Sequence, residues 1–298
     1  MRGESRREAR AGWLFVTPAL LVLLVFFFLP VVAGLLLSLT DVDLYTLGGV
    51  GAWRFVGLRN YERLALDPVF WKALRNTFFF VLAGAPLTIG TALLAALLLD
   101  SKLTRFRGLF RTIYFAPVVT TLVAVATVWR YLYHPRAGPL NLLLSLVGIG
   151  PVDWLGDPRS AMPALVLMAV WKNFGYGMVL FVAGLQAIPE SIYEAARIDG
   201  AGAWTQFRRI TLPLLRPTFL FVGIITTIGY FQLFAEPYVL TGGTGGPVDA
   251  TLSVALLMYK RGFRFWDMGT GAAIAFVLFV VILGASMLQL RLQKGRDA

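Results

Sequence analysis

Six stretches of the chain stay apolar for long enough to cross a bilayer. A hydrocarbon core of about 30 Å takes about 20 apolar residues in a helix. Residues 13–39 contain no charge. This run is too long for the core of a signal peptide and has no small-residue cleavage signature, so it reads as a retained span. Further spans are predicted at about 77–99, 113–129, 161–188, 218–240 and 268–290, the fourth carrying Lys172 and the fifth Glu236. Lipid offers the backbone no hydrogen-bond partners, so each crossing must be helical. The pattern predicts an all-α polytopic membrane protein with six transmembrane helices. It forms one transmembrane domain over residues 1–298, with an N-terminal tail at 1–12.

Polar residues between the runs set the orientation. An even number of spans puts both termini on one side. That side holds Arg2, Arg6, Arg7 and Arg10, then Lys102, Arg105, Arg107 and Arg111, then Arg197, Arg208, Arg209 and Arg216, and finally Arg291, Lys294 and Arg296. The other side has fewer cations, so both termini are expected in the cytoplasm. Trp53, Trp71, Trp129, Tyr131, Tyr133, Trp154, Trp171 and Trp266 fall near the outer ends, as an interfacial aromatic belt would.

Composition narrows the chemistry. Hydrophobic residues make up 58% of the chain and charged residues 14%, against about 45–50% and about 25% in soluble domains. This excludes a cytosolic enzyme. Cys is 0 and His is 1, which excludes disulfides, a thiolate nucleophile and a thiolate or multi-histidine metal site; no cofactor and no metal are expected. The net charge of +11 would suggest nucleic acid in a soluble protein. Here the cations sit between apolar runs, so they report topology and no nucleic-acid partner is expected. His134, beside Pro135 in an outer connection, reads as a surface turn.

The connection at 188–217 is the most informative segment. Pro189 suits a first helical turn, with Glu190 near the positive end of the dipole. The helix is predicted to end near Ile198, and Gly200 and Gly202 to supply the left-handed or strained backbone of a sharp corner. A second short helix would stack Trp204, Phe207 and Ile210 or Thr211 on one face, Pro213 would break it, and Pro217 would open the fifth span. The result is a helix–corner–helix with a small apolar edge, the form in which an amphipathic helix docks in a partner's groove; lying on the bilayer is the alternative.

Glu194-Ala195-Ala196, Asp199-Gly200-Ala201, Phe207, Ile210, Pro213 and Pro217 resemble, at fixed spacing, the EAA loop of binding-protein-dependent ABC transporter permeases. The resemblance extends over nearly the whole chain. Leu14 to Ala19 with Pro30, Phe55 to Tyr61, Asn76-Thr77, and Leu240 to Gly243 with Gly245-Gly246-Pro247 are similar to the maltose/glycerol-phosphate type of carbohydrate permease, and to the first of its two paired permeases. Thr244 departs from the pattern as an extra residue.

The resemblance implies a transport subunit in the cytoplasmic (inner) membrane. Its partners would be a second homologous permease, two ATP-binding subunits, an extracytoplasmic solute-binding protein, a sugar substrate and membrane lipid. The chain has no Gly-x-x-x-x-Gly-Lys-Ser/Thr run, so ATP hydrolysis is expected elsewhere. Glu194, Ala195, Ala196, Asp199, Gly200, Ala201 and Phe207 would couple to the ATP-binding subunit. The substrate path would use Asn173 and Tyr176 before the loop and Phe231, Gln232 and Glu236 after it, with Thr120 and Thr121 as weaker candidates. Amides and carboxylates bond sugar hydroxyls, and aromatic faces pack on sugar rings. Gln232 could equally bond between helices, and Glu236 could be wet near the span's end. Lys172 is expected to snorkel to the outer interface. An oligosaccharide is the expected substrate, with a glycerol-phosphate ester or another polar solute as the alternative. A membrane-embedded enzyme would need acid and base groups at one depth, which the spans do not supply.

Overall fold

A computed structural model describes residues 2–43, 53–101 and 106–294, with side chains described from residue 11 to residue 292. Lys102, Arg105 and Arg296 lie outside the described residues, as do the side chains of Arg2, Arg6, Arg7, Arg10 and Lys294.

Helix α1 (Arg2–Leu23) passes through a π turn at Leu24–Phe28 into α2 (Leu29–Ser38). A short amphipathic helix, α3 (Arg59–Leu66), precedes the long α4 (Pro68–Asp100). Then come α5 (Arg107–Val119), α6 (Leu122–Leu132), the short outer α7 (Pro139–Leu146) and α8 (Ala161–Gln186). The informative connection forms α9 (Glu190–Ile198), α10 (Ala203–Gln206), a π turn at Phe207–Thr211 and α11 (Leu212–Leu214). The chain ends with α12 (Arg216–Phe231), α13 (Ala235–Leu240), α14 (Val254–Tyr259) and α15 (Met268–Lys294). All named secondary structure among the described residues is helical. Four helices are long and apolar enough to cross a membrane, or up to six if each bent pair counts as one span.

The chain divides into two compact units, Met1–Asp67 with Met258–Val277, and Pro68–Leu257 with Leu278–Ala298. In the first, Asn60 donates from its amide to the carbonyls of Ser38 (2.9 Å) and Thr40 (2.8 Å). It thereby caps the orphan carbonyls at the end of α2. Arg261 pairs with Asp67 at 2.9 Å.

In the second unit, α4 and α8 pack through a seam of small residues. Ala92, Ala95 and Ala96 meet Met178, Phe181 and Val182, with Val222 of α12 joining the cluster. Lipid is as apolar as leucine, so close backbone approach is what holds such helices together. Gly177 allows it: a methyl there would lie 3.0 Å from the Ala92 Cβ. Asn76 donates to the carbonyls of Asp249 and Leu252, and Thr77 accepts from the Val254 amide. The Asn-Thr pair thus pins the segment after the Gly-rich run to α4.

Three expectations need correction. The third span is not continuous: α5 and α6 meet at a 98° bend, with Thr120 and Thr121 both extended. The fifth is interrupted at Gln232–Phe234 before α13. Pro237 explains the second break, because it has no amide to give the carbonyl four residues back and is tolerated only in the first turn of a fresh helix. Pro213 does not end its helix. The π turn ahead of it, closed by the Leu212 amide on the Phe207 carbonyl, takes up the change in register, and the 62° bend follows α11.

The aromatic belt is partly internal. Trp129 and Tyr133 are 7% and 1% exposed. They join Trp171 and Trp154 in ring contacts 5.1–5.6 Å apart, and the Tyr133 hydroxyl donates to the Ala164 carbonyl. His134 turns its Nδ1 back to accept from the Ala137 amide, a local turn as expected.

Candidate functional site

Two places assemble the residues singled out above. The first is the corner after α9. The helix ends at Ile198, with Asp199 as its cap residue. The Gly200 amide then bonds the Arg197 carbonyl at 3.1 Å, and the Ala201 amide bonds the Ala196 carbonyl at 2.8 Å. This pair of bonds is a Schellman cap, with Gly200 left-handed at φ +78°. Ala196, Asp199, Gly200 and Ala201 are therefore the last turn of a helix and its stop signal. Gly202 is not left-handed. It is extended and caps the start of α10, a position glycine also serves.

Two further bonds stiffen the corner. The Gln206 amide donates to the Ala201 carbonyl at 2.7 Å, and the Tyr193 and Thr211 hydroxyls lie 2.9 Å apart. Thr211 is thus turned inward, away from the Trp204 face. Glu194, Ala195, Asp199 and Gly200 are exposed, Ala196, Ala201 and Phe207 half-buried. Ile198 (87%) and Trp204 (71%) stand out in solvent, with Trp204 against Phe207. Both are large apolar side chains carried on the same corner.

The second place is a cavity of about 280 Å³ among α4, α5, α8 and α12. Asn173 and Tyr176 line it from α8, Tyr230 and Thr226 from α12, Phe80 and Val118 from α4 and α5, and Glu236 from the start of α13. Tyr230 is a lining residue that the apolar pattern of its span does not single out. Its hydroxyl bonds Thr88 at 2.6 Å and lies beside the Asn173 amide, and a methyl on Gly84 would meet its ring at 2.6 Å. The signal was available, since a tyrosine inside an apolar span must find a polar partner. Phe231 and Gln232 do not line the cavity. Phe231 is buried edge-on against Phe78, and Gln232 caps α12 with its side chain exposed. Removing one hydroxyl in Tyr230→Phe is expected to lower the stability of the purified protein by about 1 kcal/mol, read as a small fall in thermal midpoint.

Lys172 departs from expectation. It lies about 16 Å along α8 from Ala161 at 1.5 Å per residue, beside the bend between α5 and α6. Its ammonium instead donates to the carbonyls of Pro117 (3.1 Å), Val118 (3.5 Å) and Thr120 (3.1 Å), the groups left unpaired by the bend. Glu236 is close enough to interact with it electrostatically. Break and cation satisfy each other, in a place where neither is tolerated alone.

Residues 101–297, which hold the corner and most of the cavity, match the family described as the binding-protein-dependent transport system inner membrane component. The chain belongs to this family. This inner membrane component is 40% identical over 280 residues to the lactose transport system permease protein LacF of Rhizobium radiobacter, covering 93% of this chain and 92% of that protein. It is 39% identical over 291 residues to the trehalose/maltose transport system permease protein MalF of Thermococcus litoralis, covering 97% and 96%. Its fold matches a crystal structure of a bacterial alginate ABC transporter in complex with alginate pentasaccharide-bound periplasmic protein, with a TM-score of 0.78 at 21% identity over 96% of this chain and 94% of that chain. It is a multi-pass membrane component that serves transport, not an enzyme.

Proposed function

We propose that this inner membrane component is the permease subunit of an ATP-driven importer for a sugar, an oligosaccharide in particular. It crosses the membrane six times as a single permease domain with both termini in the cytoplasm, each bent pair forming one span. It pairs with a second homologous permease, two ATP-binding subunits and an extracytoplasmic solute-binding protein. The observation that carries the sugar reading is the near-full-length similarity to permeases named for lactose and for trehalose and maltose.

The geometry supports a division of labour. The Schellman corner presents Glu194, Ala195, Asp199, Ile198 and Trp204 to a cleft in the ATP-binding subunit. Closure of the nucleotide-bound subunits would move the corner, and with it α8, as a rigid body. The cavity supplies one wall of the path. At about 280 Å³ it falls just under the range of about 300–1,000 Å³ for small-molecule sites, as half of a shared site would. Asn173 and Glu236 offer hydrogen-bond partners for sugar hydroxyls, and the Tyr176 and Tyr230 rings offer faces. A phosphate ester fits less well, because Lys172, the cation beside the cavity among the described residues, already directs its donors to backbone carbonyls.

The test is uptake by the full transporter in proteoliposomes. ATP-dependent accumulation of a sugar is expected only with all partners present. Asn173→Ala and Tyr176→Ala should each lower uptake about tenfold, the scale of one lost hydrogen bond or ring contact in a desolvated site. Co-purification with the ATP-binding subunits should be unchanged. Normal uptake kinetics in both variants would remove the cavity from the path.

A further inference from the structure

The bend between α5 and α6 is held from outside its own span. A helix break at membrane depth is commonly repaired locally, by a serine or threonine hydroxyl or a water. Here Thr120 does bond the Pro117 carbonyl through its own hydroxyl. The Lys172 ammonium is added from α8, on carbonyls of Pro117 and Thr120 on both sides of Val118. One turn further along α8, Gly175 sits against the α5 backbone, where a methyl would lie 2.1 Å from the Tyr114 carbonyl oxygen. The helix α8 thus grips α5 at two successive points. Between those points and the corner, α8 runs unbroken to Gln186, and only residues 187–189 separate it from α9. On its other side the grip ends at Val118, which lines the cavity with Asn173 and Tyr176.

We propose that Lys172 is a positioning residue that makes the bend in the third span move with α8, so that the cavity wall at Val118 follows the coupling corner. This rests on the reading of corner and cavity given above. A flexible, unclamped bend would let α8 move while Val118 stayed behind. ATP would then be spent without resetting the path. The ammonium suits this task because its three donors hold several carbonyls of a non-helical stretch at once. A neutral side chain of the same length fills the space but grips nothing.

The experiment uses the assembled transporter in proteoliposomes. The subunit has no cysteine, so Val118→Cys is its single thiol, in a complex whose other subunits are made cysteine-free. Maleimide labelling of Val118→Cys is compared between the nucleotide-free and vanadate-trapped states, with Lys172, Lys172→Met or Lys172→Arg alongside. With Lys172 the labelling rate should change about tenfold between states. In Lys172→Met the change should collapse to under about twofold. Uptake should fall about tenfold while binding-protein-stimulated ATP hydrolysis stays within about twofold, a split that a folding defect would not give. Lys172→Arg, which keeps the charge and several N–H donors, should restore both readouts. If Lys172→Met fails to assemble, Lys172→Leu, which also has no donor, takes its place under the same criteria. The proposal is overturned if the neutral variant keeps both the labelling response and the ratio of uptake to ATP turnover. It is equally overturned if Lys172→Arg fails as the neutral variant does, or if Val118→Cys ignores nucleotide state with Lys172 present. Asn173→Ala separates the two levels. If it lowers uptake while Lys172→Met does not, only the clamp falls; if both it and Tyr176→Ala leave uptake unchanged, the cavity reading falls as well.

Discussion

Gly200→Val is expected to release the ATP-binding subunits from the membrane complex while the permease itself stays folded in the bilayer. Gly200 is left-handed at φ +78°, a region that costs an L-residue about 1–2 kcal/mol and a β-branched one more. Space is not the issue, because a methyl there would meet nothing within 4 Å. The penalty is purely conformational, so the chain escapes it by unwinding the cap. The bonds from the Gly200 and Ala201 amides to Arg197 and Ala196 are then lost together, and the exposed edge carrying Ile198 and Trp204 loses its fixed shape. A contact that depends on a preformed edge loses affinity when that edge must be ordered on binding. Gly200→Asn is the control, since asparagine tolerates the left-handed region far better. Affinity co-purification reads the result: the valine variant should retain a small fraction of the ATP-binding subunits and the asparagine variant most of them. Equal retention in both would mean that the corner's backbone is not what the partner grips.

The parts of this molecule that were legible in the sequence are those set by local rules. Long apolar runs announced their helices, because hydropathy averages over the length that a bilayer demands. Pro189, Glu190 and Gly200 announced the start and stop of α9, because caps are chemistry between residues a few positions apart. What stayed hidden depended on distant partners. Lys172 looks like an interfacial lysine until α5 is seen to break beside it, and nothing near Pro117 in sequence foretells a cation arriving from α8. Pro237 did carry a local warning, but the run at 218–240 is apolar enough for hydropathy to mask it. Asn173, Tyr176 and Glu236 line the cavity, but on α12 Phe231 and Gln232 stand one and two residues past the lining Tyr230. Consecutive residues on a helix point about 100° apart, so naming Phe231 and Gln232 in place of Tyr230 turns the reading from the cavity toward Phe78 and solvent. Trp129 and Tyr133 have the place near a span's end that belt residues have. Their burial depends on α8 and on the Trp154 loop, neither of which the pattern specifies.

Gly175→Leu should be the most damaging single change in the membrane region, and Gly175→Ala should already be severe. A methyl at this position lies 2.1 Å from the Tyr114 carbonyl oxygen, 3.0 Å from its carbon and 3.2 Å from the Phe115 Cα. All three are backbone atoms, so no side-chain rotation relieves the clash and α8 must part from α5. Overpacking of this kind costs about 1–3 kcal/mol even when flexible side chains absorb part of it, and here none do. The separation also lengthens the Lys172 contacts, leaving a charge and the carbonyls of the bend short of partners where water is scarce. Gly184, where a methyl would meet the Thr218 hydroxyl at 2.6 Å, has a side chain that can turn aside, so Gly184→Ala should be milder. Gly90 and Gly223 lie inside helices with nothing within 4 Å, and alanine there should be neutral or slightly stabilising, by up to about 1 kcal/mol. Thermal melting of the detergent-purified complex, read by size-exclusion fluorescence, orders the four positions. The expected ranking of midpoints is Gly90→Ala and Gly223→Ala at or above the parent, Gly184→Ala below it, and Gly175→Ala lowest, with Gly175→Leu yielding little assembled protein. A parent-like midpoint for Gly175→Ala would mean that α8 and α5 are not in backbone contact, and the grip on the bend would lose its steric half.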